Sequence, residues 1–254
     1  MERLDNTRPS GLHTGKLRVW GMVFALAGII SRSILQNQVL GIGIRSTQEL
    51  MAFLQTSDTA MAIAAIALVL QAMETVAVPI FVFLLAEGCR HTSDWKKYLL
   101  RVAGLALLTE IPYDLAMNQK VLEFGSQNPV FGLVLCMVLL YLFEHFSGKK
   151  LIYVIIVLAG VAWAYILKVD HGIAMILMVC VIRAFRNKHM LLGFSGMAVA
   201  ALCIGISPFY LAAPMGFLII HFYNGERGES SRVVNYLFYP VMLLVIGLAA
   251  RYVI

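Results

Sequence analysis

Apolar residues run through this chain in long blocks separated by short polar punctuation, with neither the strict alternation of a half-buried strand nor the narrow stripe of a surface helix. Nine blocks stand out: Leu17 to Leu35, Thr59 to Ala86, Val102 to Ala116, Val130 to Phe146, Leu151 to Leu167, His171 to Phe185, Met190 to Ile206, Phe209 to Phe222 and Val234 to Val253. Blocks apolar on every face predict helices surrounded by apolar material. Several are shorter than the roughly 20 residues of a straight bilayer crossing, which predicts tilting, breakage or shelter inside a bundle. Pro112, Pro214 and Pro240 mark expected breaks. The stretch from Gly41 to Gln55 is too short and too polar to span, and reads as an interfacial helix or a re-entrant piece.

Composition turns this pattern into a class. Hydrophobic residues make up 60% of the 254 positions and charged residues only 13%, far from the roughly one-quarter charged of a soluble domain. The expectation is an all-α, polytopic membrane bundle of about nine transmembrane helices, one domain over residues 1–254, multi-pass in a bacterial inner membrane. A cytosolic enzyme, a secreted disulfide scaffold and a nucleic-acid-binding domain are excluded in spite of the +6 net charge. With the N-terminus placed in the cytoplasm, 15 of the 20 Lys and Arg residues fall on the inner side, leaving Arg32, Arg45, Lys120, Lys168 and Arg251 outside. The cysteines, Cys89, Cys136, Cys180 and Cys203, lack metal-ligand or redox spacing and read as small hydrophobes. No metal and no cleavable signal peptide are expected.

An ionisable side chain inside a bilayer costs at least about 2.5 kcal/mol, so each acid in the apolar blocks invites an explanation. Glu74 sits in the middle of the second block and Glu87 at its end. Glu87 and His91 are four apart, which on a continuing helix places carboxylate and imidazole on one face, a pairing suited to general-base work; an interfacial His with Glu87 held by Arg90 is the plainer alternative. Glu110 and Asp114, also four apart, flank Pro112 and require partners from other helices or the nearby backbone. Asn128 reads first as an N-cap. Asp170 and His171 are adjacent and so share no helix face; capping by Asp170 is the simpler reading. Tyr223, Asn224, Gly225, Arg227 and Gly228 form a Gly-containing turn that would let an anion approach the backbone, or would simply be a tight turn.

The runs VPIFVFLLAEGCRHT, KKYLLRVAGLALLTEIPYDLA, QNPVFGL, FYNGERG and YLFYP, in order from Val78 to Pro240, resemble the TraX family. That family is named for a conjugal-transfer protein implicated in N-terminal acetylation of F-type pilin, and it looks related to transmembrane acyltransferases that draw on cytosolic acyl-CoA. The resemblance carries over Glu87, Gly88, His91, Thr92, Glu110, Pro112, Asp114, Asn128, Asp170 and the Tyr223 to Gly228 turn. Two positions depart from it. Where the family's first span holds an Asp-His pair this chain reads MVFALAGIISRSI, and Glu74 stands near a family Gly-Arg.

What the resemblance implies is acetyl transfer from acetyl-CoA, as cosubstrate, to an amine or hydroxyl of a peptide, protein or sugar. The expected base is His91 oriented by Glu87, with Asp170 and His171 as the alternative at the far mouth. Arg90, Lys96, Lys97, Arg101, Tyr223, Asn224 and Arg227 would hold the CoA phosphates. Glu110, Asp114 and Asn128 would shape the acceptor site, with Glu74 beside them. A cation- or proton-coupled transporter using the same acids, and a non-catalytic assembly factor on the same scaffold, remain as alternatives.

Overall fold

The computed structural model describes residues 11–226, 228 and 232–252. Among these there are ten α-helices and no strand: α1 Thr14–Ile29, α2 Thr47–Thr56, α3 Asp58–His91, α4 Trp95–Met117, α5 Pro129–His145, α6 Lys150–Ile166, α7 Gly172–Phe185, α8 His189–Leu202, α9 Pro214–His221 and α10 Arg232–Tyr252. A π-helical stretch, Ile30–Val39, prolongs α1, and 3-10 turns at Cys203–Gly205 and Pro208–Leu211 link α8 to α9. Each of the nine predicted blocks is helical, and α2 supplies the helix in the Gly41 to Gln55 stretch. Ser46 and Glu49 form a reciprocal capping box at its start, and α2 buries none of its residues.

Two segments, Thr14–Val39 and Asp58–His91, are long and apolar enough to cross a membrane by length and composition. The others are shorter or more polar, and α9, with eight residues, rises only about 12 Å.

Two prolines expected to break helices do not. Pro112 lies within α4 and Pro240 within α10, while Pro214 starts α9, where the missing N–H has no intrahelical partner to lose. Pro79 likewise sits inside α3. A proline surrounded by neighbouring helices gives up one backbone hydrogen bond without the chain having to turn, because packing on both sides holds its direction.

The bundle is built on α3. Helix α1 packs along it, α7 and α9 cross it, α5 touches it, and α10 lies against α4. The main core joins Leu17 and Phe24 of α1, Val76, Ile80 and Phe83 of α3, Met137 of α5, Met178 and Ile182 of α7, and Phe217 of α9. A smaller core links Ile29, Tyr113, Ala116 and Leu243. The exterior is unusually apolar: Leu100, Leu107 and Leu108 on α4 and Leu151, Leu158, Trp163 and Ile166 on α6 are all exposed. Polar side chains are instead interior, with Ser31, Ser33, Thr109, Asp114 and Asn128 all fully buried.

Helix α9 packs closely on α3, backbone against backbone. A Cβ added at Gly216 would lie 2.5 Å from the Val76 carbonyl oxygen and against the Pro79 ring. Backbone and a proline ring cannot swing aside as a flexible side chain does, so α9 must lift. Gly216→Ala is therefore expected to lower stability by about 1–3 kcal/mol, read as a reduced unfolding temperature in detergent, whereas the open-sided Gly104→Ala should not lower it.

Candidate functional site

Two carboxylates from different elements bond one guanidinium, and Tyr113, His171 and Tyr210 gather around them. Arg32, in the π-helical stretch after α1, donates from Nη2 to Glu74 Oε1 at 2.5 Å and from Nη1 to Asp170 Oδ2 at 2.7 Å. Tyr113 of α4, itself buried, donates its hydroxyl hydrogen to the same Asp170 oxygen at 2.8 Å. His171 Nδ1 lies 2.7 Å from the Tyr210 hydroxyl, and its Nε2 is 3.8 Å from Glu74 Oε1 and 3.8 Å from Asp170 Oδ1.

Local structure explains why these groups can meet. A Cβ at Gly28 would fall on the Glu74 carboxylate, so only glycine lets α1 come so close to that acid. The π-helical turns that follow widen the helix at the point from which Arg32 reaches across, a distortion that recurs at functional sites. Asp170 and His171 come from the α6–α7 turn, whose backbone is pinned to the segment before α5: Gln127 N donates to Lys168 O at 3.0 Å and Asp170 N to Gln127 O at 2.9 Å. Lys168 and His171 both adopt the left-handed region, with φ of 52° and 58°. For residues with a Cβ each costs of order 1 kcal/mol, and the double pin on Gln127 holds them there.

Two buried atoms of the cluster lack a hydrogen-bond partner among the described residues: His171 Nε2 and Arg32 Nε. Both residues line both adjoining cavities. One, about 220 Å³, also meets Glu74, Thr75, Ser207 and Tyr210. The other, about 490 Å³, also meets Tyr113, Asn118, Ser126 and Lys168. Glu74, Asp170 and His171 each offer a ligand atom within 4.8 Å of the others. A metal ion there would have to displace the guanidinium already bonded to both carboxylates, so the donor set fits Arg32 better than a cation.

The other sequence-predicted residues lie elsewhere. Helix α3 continues through His91 as expected, and Glu87 contacts both Arg90, at 2.8 Å, and His91, at 3.6 Å. His91 is 64% exposed at its side chain, and neither cavity beside the cluster reaches it. Lys96, Lys97 and Arg101 are exposed at the start of α4. There Lys97, through its backbone N–H and its ammonium, holds the N-cap Asp94 carboxyl below its usual range.

Glu110 and Asp114 do not act as a pair. Glu110 accepts from the Asn128 side chain and from its backbone N–H, and Asn128 also caps α5 at Val130 N. Asp114 accepts from Asn118 Nδ2 and from Glu123 N, closing the loop after α4. Tyr223 packs edge-on against Phe83. Asn224 donates its backbone N–H to Leu12 O, and its Oδ1 accepts the backbone N–H of Glu226, so the turn fastens the segment just before α1 to the end of α9. Arg227 lies outside the described residues.

Asp170 does not cap α7. The N-cap is His171, which makes no side-chain capping bond, because Asp170 is engaged by Arg32 and Tyr113. Sequence reasoning left out Arg32, Tyr113 and Tyr210. The signal for Arg32 was present, a cation inside the first apolar block; the tyrosines resemble ordinary core residues until their hydroxyl partners are seen.

Removing Arg32 would leave Glu74 and Asp170 side by side without a counter-charge. Arg32→Ala is expected to cost about 3 kcal/mol or more, measured by thermal unfolding. Adding Glu74→Gln and Asp170→Asn should recover much of that loss; no recovery would show that the charge balance is not what the arginine supplies.

No curated protein and no solved structure matches the chain. The family model described as TraX protein matches residues 53–250, more than three quarters of the length. With the motifs from Val78 to Pro240 lying inside that match, the chain belongs to the TraX family.

Proposed function

We propose that the protein is a multi-pass inner-membrane acyltransferase that moves an acetyl group from acetyl-CoA to an amine or hydroxyl acceptor, a pilin-like peptide N-terminus being the acceptor the family suggests. Family membership and the exposed apolar faces of α4 and α6 support a membrane setting. The observation that carries the chemistry is His171: a buried imidazole beside two cavities, fixed at Nδ1 by Tyr210, with Nε2 unpartnered and flanked by two carboxylates.

In the tautomer whose Nδ1–H donates to the Tyr210 oxygen, Nε2 carries the lone pair. It takes the proton of the acceptor as the acceptor attacks the thioester carbonyl, and Glu74 and Asp170 stabilise the resulting imidazolium. Arg32 Nε–H is the available donor for the tetrahedral oxyanion. Collapse expels the CoA thiolate, which recovers the proton from His171, leaving acetylated acceptor and free CoA. Arg90, Lys96, Lys97 and Arg101 suit the CoA phosphates. Thirteen residues of α3 separate Glu87 from Glu74, about 20 Å, so the acetyl group crosses part of the bundle before transfer.

Cation transport would use the same acids, but Arg32 already neutralises one of their two charges and occupies both. The cavity-facing imidazole flanked by two carboxylates favours catalysis over a purely structural role.

In nanodiscs with labelled acetyl-CoA, His171→Ala is expected to lower acetyl transfer or acetyl-CoA hydrolysis by about a hundredfold or more, with His91→Ala close to wild type. The reverse result would return the base to the Glu87 end, and full activity in both variants would remove this mechanism. The topology has its own test. Single cysteines at Lys188 and Lys168, in a background with the four native cysteines replaced, should react with an impermeant thiol reagent from opposite sides of the membrane; labelling from one side would overturn the inner and outer assignment.

A further inference from the structure

At the other end of α7 from His171 lies a cavity of about 360 Å³ lined by Glu144, Arg183, Ala184, Arg186, Asn187 and Lys188. Three cations face one acid there, a net charge of +2. An excess of basic residues at a cytoplasmic boundary accounts for Arg186 and Lys188, which are exposed in the α7–α8 turn. It does not account for Arg183. That side chain is drawn inward to 22% exposure, where a lysine-like surface charge would stay in water. Its guanidinium stands 4.9 Å from the Phe143 ring centre and 5.2 Å from that of Tyr153, and Nη2 donates to Phe143 O at 3.2 Å. These contacts fix the plane of the fork. Its Nε is buried without a hydrogen-bond partner among the described residues, and the nearest acid, Glu144, is 3.7 Å from it and mostly exposed.

A rigidly held arginine with donor capacity to spare, in a polar cavity with two further cations, matches the requirements for a phosphate group: planar, bidentate recognition plus point charges. We propose that this cavity binds a phosphate-bearing anion. The phosphate can come from a nucleotide such as CoA or from an anionic lipid headgroup, and both offer the same oxygens to the same residues. The site does not depend on the acyl-transfer reading, because it lies 12 residues along α7 from His171, about 18 Å.

The test uses the full chain in phosphatidylcholine nanodiscs, titrated with CoA, and separately in the same discs doped with fluorescent phosphatidylglycerol. Arg186→Gln with Lys188→Gln changes only exposed positions and should weaken one of the two ligands roughly tenfold or more. Loss confined to CoA identifies a nucleotide site, and loss confined to phosphatidylglycerol a headgroup site. Arg183→Gln should weaken the same ligand; if that variant fails to fold, the double variant decides alone. Added salt should weaken the wild-type interaction. Unchanged binding of both ligands in the double variant would overturn the proposal.

Discussion

The bundle depends on a guanidinium shared between two carboxylates in an apolar interior. Glu74 and Asp170 belong to α3 and to the α6–α7 turn, which would repel one another if Arg32 did not stand between them. Because Arg32 rises from the stretch after α1, the three-way contact fixes how α1, α3 and α7 meet, and Tyr113 adds α4 through Asp170. Gly28 lets the backbones close up, and the π-helical turns aim the arginine. Ion pairs of this kind seldom stabilise a fold more than well-packed apolar side chains would. Their presence here is better accounted for by what they hold in place, an imidazole whose second nitrogen is left without a partner.

Helix α7 joins the two polar regions of the molecule. Its N-terminal end, where unpaired backbone N–H groups carry partial positive charge, faces Asp170 and Glu74; its C-terminal end, with the opposite partial charge, carries Arg183. Both placements follow the helix dipole. The two polar regions are thus held apart by about the length of α7, roughly 21 Å for 14 residues.

Local signals in the sequence carried further than distant ones. The helical blocks, the continuation of α3 through His91 and the Asn128 cap all follow from periodicity or from one residue and its immediate neighbours. The convergent cluster does not. Arg32 is 42 positions from Glu74 and 138 from Asp170, and no spacing rule links residues so far apart. The four-residue spacing of Glu110 and Asp114 called for partners beyond the pair, and they are found at the Asn128 cap of α5 and in the loop backbone at Glu123, although spacing alone could not name them. Capping by Asp170 follows from its residue type beside a helix start, but its carboxylate, in the turn before α7, goes to Arg32 and Tyr113 instead. Attention to acids alone hid Arg32, although the cost of burying a charge applies equally to cations.

Arg32 lies outside the family-matched residues 53–250, whereas Glu74, Asp170 and His171 lie inside. The arginine stands on the α1 side and the acid on the α3 side, in direct contact, so two carboxylates within the matched region draw their counter-charge from a helical stretch before it. Of the imidazoles among the described residues, His171 alone lies among these charges, and its position at the start of α7 follows from the same balance: the guanidinium that lets both carboxylates stay charged in the bundle is what leaves them free to flank the ring.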